Sequence, residues 1–385
     1  MNVGTLLELL ALPGKSGQER LIADYVKAAL IGIGVPNDCV FEDDAYERTA
    51  IRGDAGNLIV RLPGTRPGPR RLFTAHMDTV PICVGAKPVV EEGQIRSDDP
   101  ATGLGGDDRT GVGVLLETIA ALVARGAPHP PTTFCFFVQE EVGLHGARCV
   151  RVEDMGHPAF GFNFDGGSPA KLTIGATGGY RLSIELFGRA SHAGGAPEEG
   201  VSAIVAASRA IADLADRGWH GKVEMEGRSG TSNVGVFNGG HSTNVVTDRV
   251  SIRAEARSHD PAFRKTIASE IEEAFRGACV QTTNLRGECA RAEFQGRLDY
   301  ESFALDPNSR CVTMARQALE RLGSVPELAI SNGGLDANWL NAHGIPTVTL
   351  GCGQRSIHTV EERVDLADYA LACRTAIELA TSAED

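Results

Sequence analysis

The segment Leu72-Phe73-Thr74-Ala75-His76-Met77-Asp78-Thr79-Val80-Pro81 constrains this chain more than any other: a short apolar run stops abruptly on a histidine, an acid and a proline. Such a run reads as a buried strand that delivers polar groups at its carboxyl end. His76 and Asp78 stand two apart, so an extended backbone puts both on one face. Asp78 can then accept a hydrogen bond from one ring nitrogen of His76 and leave the other for a metal ion. A structural His–Asp pair explains these residues equally well when they are taken alone. The pattern recurs, however. An apolar run over 132–138 leads into Gln139-Glu140-Glu141, a second over 160–164 ends on Asp165, and a third over 344–350 leads to a loop carrying His358.

Between the first two runs lies Gly103-Leu104-Gly105-Gly106-Asp107-Asp108-Arg109-Thr110-Gly111, which opens an apolar helix over 112–123. One of the adjacent acids serves as a helix cap. The glycines let the backbone turn tightly and hold the other acid in an unusual geometry. Strands alternating with helices imply an α/β fold with a mostly parallel sheet, and ligands of such sheets gather outside the carboxyl ends of the strands. His76, Asp107, Glu141, Asp165 and His358 are therefore expected on one rim. That set exceeds the roughly four ligands of one tetrahedral zinc ion, so a dinuclear centre is expected, with Asp107 as the bridge. Glu140 and Glu141 diverge at a strand end, so one is a ligand and the other is left to move a proton during hydrolysis.

The N-terminus reads as a helix broken at Pro13-Gly14, after which Ser16 and Glu19 have the spacing of a capping box for a second helix through Leu30. Gly14-Lys15-Ser16 lacks the earlier glycine of a phosphate loop, because position 9 is Leu, which speaks against a nucleotide-binding enzyme. From about 177 to 300 the texture changes to a β-α-β-β-α-β order of the ferredoxin-like kind, so an α+β domain is expected to be inserted there. The expected boundaries are 1–176 and 301–385 for the larger domain and 177–300 for the insertion. A formal charge of -13 argues against nucleic acid and anionic membranes as partners. Nine cysteines without CxxC pairing, and no recognisable export signal, suggest a cytoplasmic location.

In combination, the motifs over 74–81, 104–111, 138–143, 163–166, 188–194 and 357–361 resemble the dinuclear-zinc peptidase and deacylase superfamily of peptidase T, carboxypeptidase G and acetylornithine deacetylase. The stretches 239–244, 252–258 and 333–338 resemble its peptidase T-like branch. This resemblance implies a zinc-exopeptidase catalytic domain with an inserted lid and dimerisation domain. It implies two zinc ions, with cobalt or manganese as possible substitutes, one held by His76, Asp107 and Asp165 and the other by Asp107, Glu141 and His358. Glu140 would be the general base and Asp78 the residue that orients His76. His192, within Ser191-His192-Ala193-Gly194, would reach the partner's site in a homodimer and stabilise the oxyanion. Asn244 and Arg257 would bind substrate, although a strand-end salt bridge is the competing role for the arginine. Where peptidase T has Arg-Gly-Gly-Thr-Asp, this chain has Asn332-Gly333-Gly334-Leu335-Asp336, so strict tripeptide specificity is not carried over. The function implied is an aminopeptidase acting on short peptides. The alternatives are an N-acyl amino acid deacylase on the same centre and a catalytically silent metal-binding protein, which would lack a ligand or base.

Overall fold

In the computed structural model, which describes residues 2–383, the apolar runs lie side by side in one sheet. Arg71–His76 pairs in parallel with Thr132–Phe137 on one side and with Phe160–Phe164 on the other, and Phe160–Phe164 pairs in parallel with Thr347–Leu350. Every residue of these strands is buried. They carry no alternating polar face because helices or loops cover both sides. Phe73 packs against Phe134 and Phe162 with ring centroids 5.3 Å apart in each case. Burying each such ring contributes about 2–3 kcal/mol, which fixes the register of the strands that deliver the site. The sheet has nine strands in all. Towards its flanks it becomes mixed, with Leu58–Leu62 antiparallel to Thr132–Phe137 and Lys171–Ala176 antiparallel to Thr347–Leu350 but parallel to Glu327–Ser331. The last of the central strands starts at Thr347, later than the run over 344–350 suggests, because Gly344 (φ 82°) ends the turn that closes the helix Asp336–Ala342.

The helix Gly106–Leu122 buries Val112, Leu115, Leu116, Ile119 and Leu122 in the main core. Its first residues are not helical: Asp107 and Asp108 have φ/ψ of -83/105° and -120/40°, and the peptide between them is cis. A four-stranded sheet of Pro88–Glu91, Gln94–Ser97, Arg363–Asp365 and Gln354–Arg355 flanks the loop carrying His358. Strands of two to four residues carry almost no periodicity, so sequence alone does not reveal them.

The expected capping box does not form. At the start of helix Arg20–Ile33 the Glu19 side chain makes no capping bond, and Arg20 N donates to Asp54 Oδ1 at 3.0 Å. Ser16 Oγ donates instead to Asp78 Oδ2 at 2.6 Å, and Glu19 Oε1 accepts from Gln139 N at 3.1 Å.

Contacts divide the chain into two compact units: residues up to Ala176 with those from Phe303, and Thr177–Ser302. The second unit runs slightly past position 300 because Glu301 accepts from the buried Arg264 at 2.6 Å. It is a five-stranded antiparallel sheet in the order Gly221–Met225, Arg228–Gly239, Arg249–Ser258, Gly178–Phe187, Arg291–Tyr300. Leu182, Ile184, Leu186, Val250 and Ile252 face the helices Ala203–Asp216 and Pro261–Val280. The strand Gly221–Met225 is absent from the β-α-β-β-α-β expectation. It joins the next strand through Glu226 and Gly227, both with positive φ (51° and 76°), the geometry of a two-residue hairpin turn. Only Val223 of its five residues is buried, so the sequence signal is slight. Among the described residues no helix is long and apolar enough to cross a membrane.

Candidate metal centre

The strand ends and the loops beside them bring eight polar side chains of the larger unit together. At the end of Arg71–His76, the His76 ring is 2% exposed. Its Nδ1 lies 3.1 Å from the Asp78 carbonyl and 3.4 Å from Asp78 Oδ1. Nδ1 therefore carries the proton, and Nε2 faces Asp107 Oδ1 at 3.2 Å. The other Asp107 oxygen, Oδ2, is 3.2 Å from His358 Nε2, which also meets Glu141 Oε1 at 2.9 Å. Asp107 thus stands between two imidazoles, one at each carboxylate oxygen. Ligand-type atoms of His76, Asp107 and Glu141 lie within 4.8 Å of one another, as do those of His76, Glu140 and Asp165, and of Asp107, Asp108 and Asp165.

Local backbone explains this delivery. After Thr132–Phe137 the chain passes through Gln139 in the left-handed region (φ 55°), and His358 adopts φ 64°. Non-glycine residues hold that conformation only where the surroundings fix it, commonly at functional sites. Gly105 has φ 79°, and a Cβ on Gly111 would lie 2.2 Å from the Phe164 carbonyl oxygen, so the loop that presents Asp107 needs glycine at both positions. Asp108 is the acid with the capping role: its Oδ1 accepts from Gly111 N at 3.0 Å and from Gln354 Nε2 at 2.9 Å, and its Oδ2 from His76 N at 3.1 Å.

Three supporting residues escape a sequence reading. Glu362, 1% exposed, accepts from Leu104 N (2.9 Å) and Gly105 N (2.8 Å) on Oε2 and from Asp107 N (3.1 Å) on Oε1. Gln354 ties the Asp107 loop to the small flanking sheet. Asp336 is buried with no hydrogen-bond partner on either carboxylate oxygen, and its charge reaches Glu140 and Asp165. Glu362 gives no signal beyond being one of two adjacent glutamates, of which Glu361 is exposed.

The protonation pattern follows from crowding. Burial alone would lower the His76 imidazole, but hydrogen bonds to Asp107 and Asp78 hold it well above its usual range. His358 is raised to about 10 by its bonds to Asp107 and Glu141. Asp107 is buried, yet the two imidazoles keep it below the usual carboxylate range. Burial and neighbouring carboxylates push Asp165 and Glu140 well above that range despite the opposing effect of His76, and Asp336 rises to about 7. Two imidazoles cannot neutralise so many buried carboxylates. A mixed nitrogen and oxygen donor set with excess negative charge fits a pair of divalent cations of the zinc, cobalt or manganese kind.

The three residues expected in the inserted domain lie in the Thr177–Ser302 unit. His192 is exposed, and its Nδ1 accepts from Gly194 N (3.1 Å) and Gly195 N (2.9 Å), which leaves Nε2–H as an outward donor. Ala193 N donates to the Asn244 carbonyl at 2.9 Å, so these two segments run together. The guanidinium of Arg257 is occupied by Glu255, with Nε to Oε1 and Nη2 to Oε2 each at 3.0 Å. The competing salt bridge is therefore formed.

Residues 72–382 match the model of the peptidase family M20/M25/M40. The chain is 35% identical over 363 residues to the uncharacterized protein YqjE of Bacillus subtilis, covering 94% of this chain and 92% of the relative. A tripeptidase from Staphylococcus aureus superposes with a TM-score of 0.88 at 32% identity, over 98% of this chain and 96% of that one. Aminopeptidase PepT from Bacillus cereus gives 0.84 at 34% identity, over 98% and 97%.

Proposed function

The chain belongs to the peptidase family M20/M25/M40, and from that premise we propose that it is a peptidase T-like metallo-aminopeptidase that removes N-terminal residues from short peptides. The observation that carries this reading is the convergence of His76, Asp107, Glu140, Glu141, Asp165 and His358 at the ends of parallel strands. A peptide substrate is favoured over an N-acyl amino acid because the structures similar at 32% and 34% identity are those of a tripeptidase and an aminopeptidase.

In this reading His76, Asp107 and Asp165 hold one cation, and Asp107, Glu141 and His358 the other, most simply zinc. Bound there, the cations supply Lewis-acid chemistry, polarising the scissile carbonyl and acidifying water. Asp78 holds the His76 ring with Nε2 toward the centre. Glu140, within 4.8 Å of His76 and Asp165 but not hydrogen-bonded to His358, takes the proton of the attacking water and passes it to the leaving amine. His192 offers Nε2–H to the oxyanion in the partner's site of a homodimer. The dimer reading is supported by the edge over 233–239, which among the described residues pairs only on its Arg249–Ser258 side and carries the exposed Phe237. Asn244 and Arg257 are proposed to bind substrate, the arginine by exchanging Glu255 for a substrate carboxylate. Nine unpaired cysteines support a reducing, cytoplasmic location; nucleic acid and membranes are not proposed as partners.

The test is a turnover screen of zinc-loaded protein on di- and tripeptides against N-acetyl and N-succinyl amino acids. Release of N-terminal residues is the expected result, and turnover confined to N-acyl amino acids would replace the aminopeptidase by a deacylase.

A further inference from the structure

The segment spaced like a helix cap reaches the back of the metal centre instead. Ser16 Oγ donates to Asp78 Oδ2 at 2.6 Å, and that oxygen also accepts from Glu141 N at 3.2 Å. Asp78 Oδ1 accepts from Glu140 N at 2.9 Å. One residue earlier, Gln139 N donates to Glu19 Oε1 at 3.1 Å, an oxygen that also takes Gly17 N at 2.8 Å. Three consecutive backbone N–H groups, at 139, 140 and 141, thus end on two fully buried carboxylates, and Ser16 and Glu19 lie on a single strap. Thr79 N donates to the Gly14 carbonyl at 3.0 Å, and Lys15 bridges in parallel to Thr79, which anchors the strap beside Asp78. The left-handed turn at Gln139 receives no help from its own side chain, whose amide atoms have no hydrogen-bond partner. Bonds from Gly143, Leu144 and His145 N–H to its carbonyls close the turn on one side, and the strap, acting directly through Glu19 and through Ser16 on Asp78, braces its N–H groups on the other.

We propose that Ser16 and Glu19 are positioning residues that clamp the 139–141 backbone so that the carboxylates of Glu140 and Glu141 diverge at the angle the centre requires. This rests on the reading that Glu140 moves the proton and Glu141 holds a cation. Ser16 acts on three groups through one carboxylate: Asp78 touches the His76 ring and both glutamate N–H groups. Loosening Asp78 therefore misplaces a cation ligand and the base together. Outer residues of this kind typically change metal affinity or activity about 10–100-fold when removed.

The experiment compares the wild type with Ser16→Ala, Ser16→Thr and Glu19→Gln in the full-length protein. It measures zinc affinity by competition with a chromophoric chelator, kcat and KM on a short peptide, and thermal stability. For Ser16→Ala we expect kcat to fall about 10–100-fold with KM within about threefold, and zinc affinity to fall about tenfold. Ser16→Thr, which keeps the hydroxyl, is expected to recover most of both losses. A Ser16→Ala protein with wild-type kcat and zinc affinity, or a Ser16→Thr protein as impaired as Ser16→Ala, overturns the clamp. Should Glu19→Gln not fold, the two Ser16 variants decide alone. Should the wild type cleave no peptide, the functional reading fails separately, and unchanged zinc affinity in the Ser16→Ala protein would still overturn the clamp.

Discussion

Replacing Glu362 by glutamine tests how the Asp107 loop is held. Its two carboxylate oxygens take three backbone N–H groups, from Leu104, Gly105 and Asp107, at 2.8–3.1 Å in a site that is 1% exposed. Glutamine keeps one carbonyl oxygen. In one orientation its amide nitrogen faces Asp107 N–H, and in the other it faces Leu104 and Gly105 N–H, so at least one buried donor meets another donor. An unsatisfied buried N–H costs about 1–3 kcal/mol, and the surviving bonds weaken by about 1 kcal/mol in going from charged to neutral acceptor. The sum, about 3 kcal/mol, corresponds to a factor of about 100 in an equilibrium constant. It falls on the loop conformation that aims both Asp107 oxygens, and so on cation affinity more than on global folding. Glu362→Gln should therefore bind zinc about 10–100-fold more weakly in chelator competition, with a corresponding loss of turnover at limiting zinc that excess zinc partly restores. Zinc affinity within about threefold of wild type, accompanied by a lowered melting temperature, would refute the argument and reduce Glu362 to a fold-stabilising residue.

Glu140→Gln should cut turnover by about 100–10,000-fold while two equivalents of zinc are still bound; loss of a metal equivalent in elemental analysis would mean that Glu140 and Glu141 have exchanged roles. Co-refolding inactive Glu140→Ala with inactive His192→Ala subunits should restore partial activity in mixed dimers, and no recovery at any mixing ratio counts against a shared site. Away from the centre, Glu42 is partly buried, which alone would raise its carboxyl, but hydrogen bonds from Arg20, Lys27 and Gly56 N lower it to about 2. A depressed folded-state pKa contributes stability that is present above the unfolded value near 4.5 and lost as pH falls toward about 2. Glu42→Gln should therefore destabilise by about 1–3 kcal/mol at pH 7 in urea melts, with the difference from wild type closing below about pH 3; a penalty independent of pH would show that packing, not charge, is what Glu42 supplies.

Legibility in the sequence tracks how much of each residue's environment is local. The strands that carry His76, Glu141 and Asp165 are apolar throughout because both sheet faces are covered, so their ends could be read directly from where the apolar run stops. Asp107 was legible through its glycines: the loop needs positive φ at Gly105 and a missing side chain at Gly111. His358 was legible only as a histidine after the last apolar run, since the short strands that frame its loop carry no pattern. The hairpin strand Gly221–Met225 was lost because one buried valine does not make an alternation.

Ser16 and Glu19 show why local motifs mislead when two partners compete for the same groups. A side-chain cap is worth about 0.5–2 kcal/mol to a helix. Glu19 is fully buried, which raises its carboxyl to about 8, and one of its oxygens has no hydrogen-bond partner, so a donor for the other avoids a further cost of about 1–3 kcal/mol. Once the strap packs beside Asp78, the Gln139 N–H is the donor that the fold supplies to Glu19, and the helix start at Arg20 is capped from a distance by Asp54, whose Oδ1 accepts from Arg20 N at 3.0 Å. The same arithmetic governs Glu361 and Glu362. Adjacent and chemically identical, they differ in that one finds three N–H groups waiting in a buried glycine loop while the other finds water. Which of two equal residues becomes structural is thus decided by the unsatisfied donors of a distant segment, a quantity that no window of neighbouring residues contains.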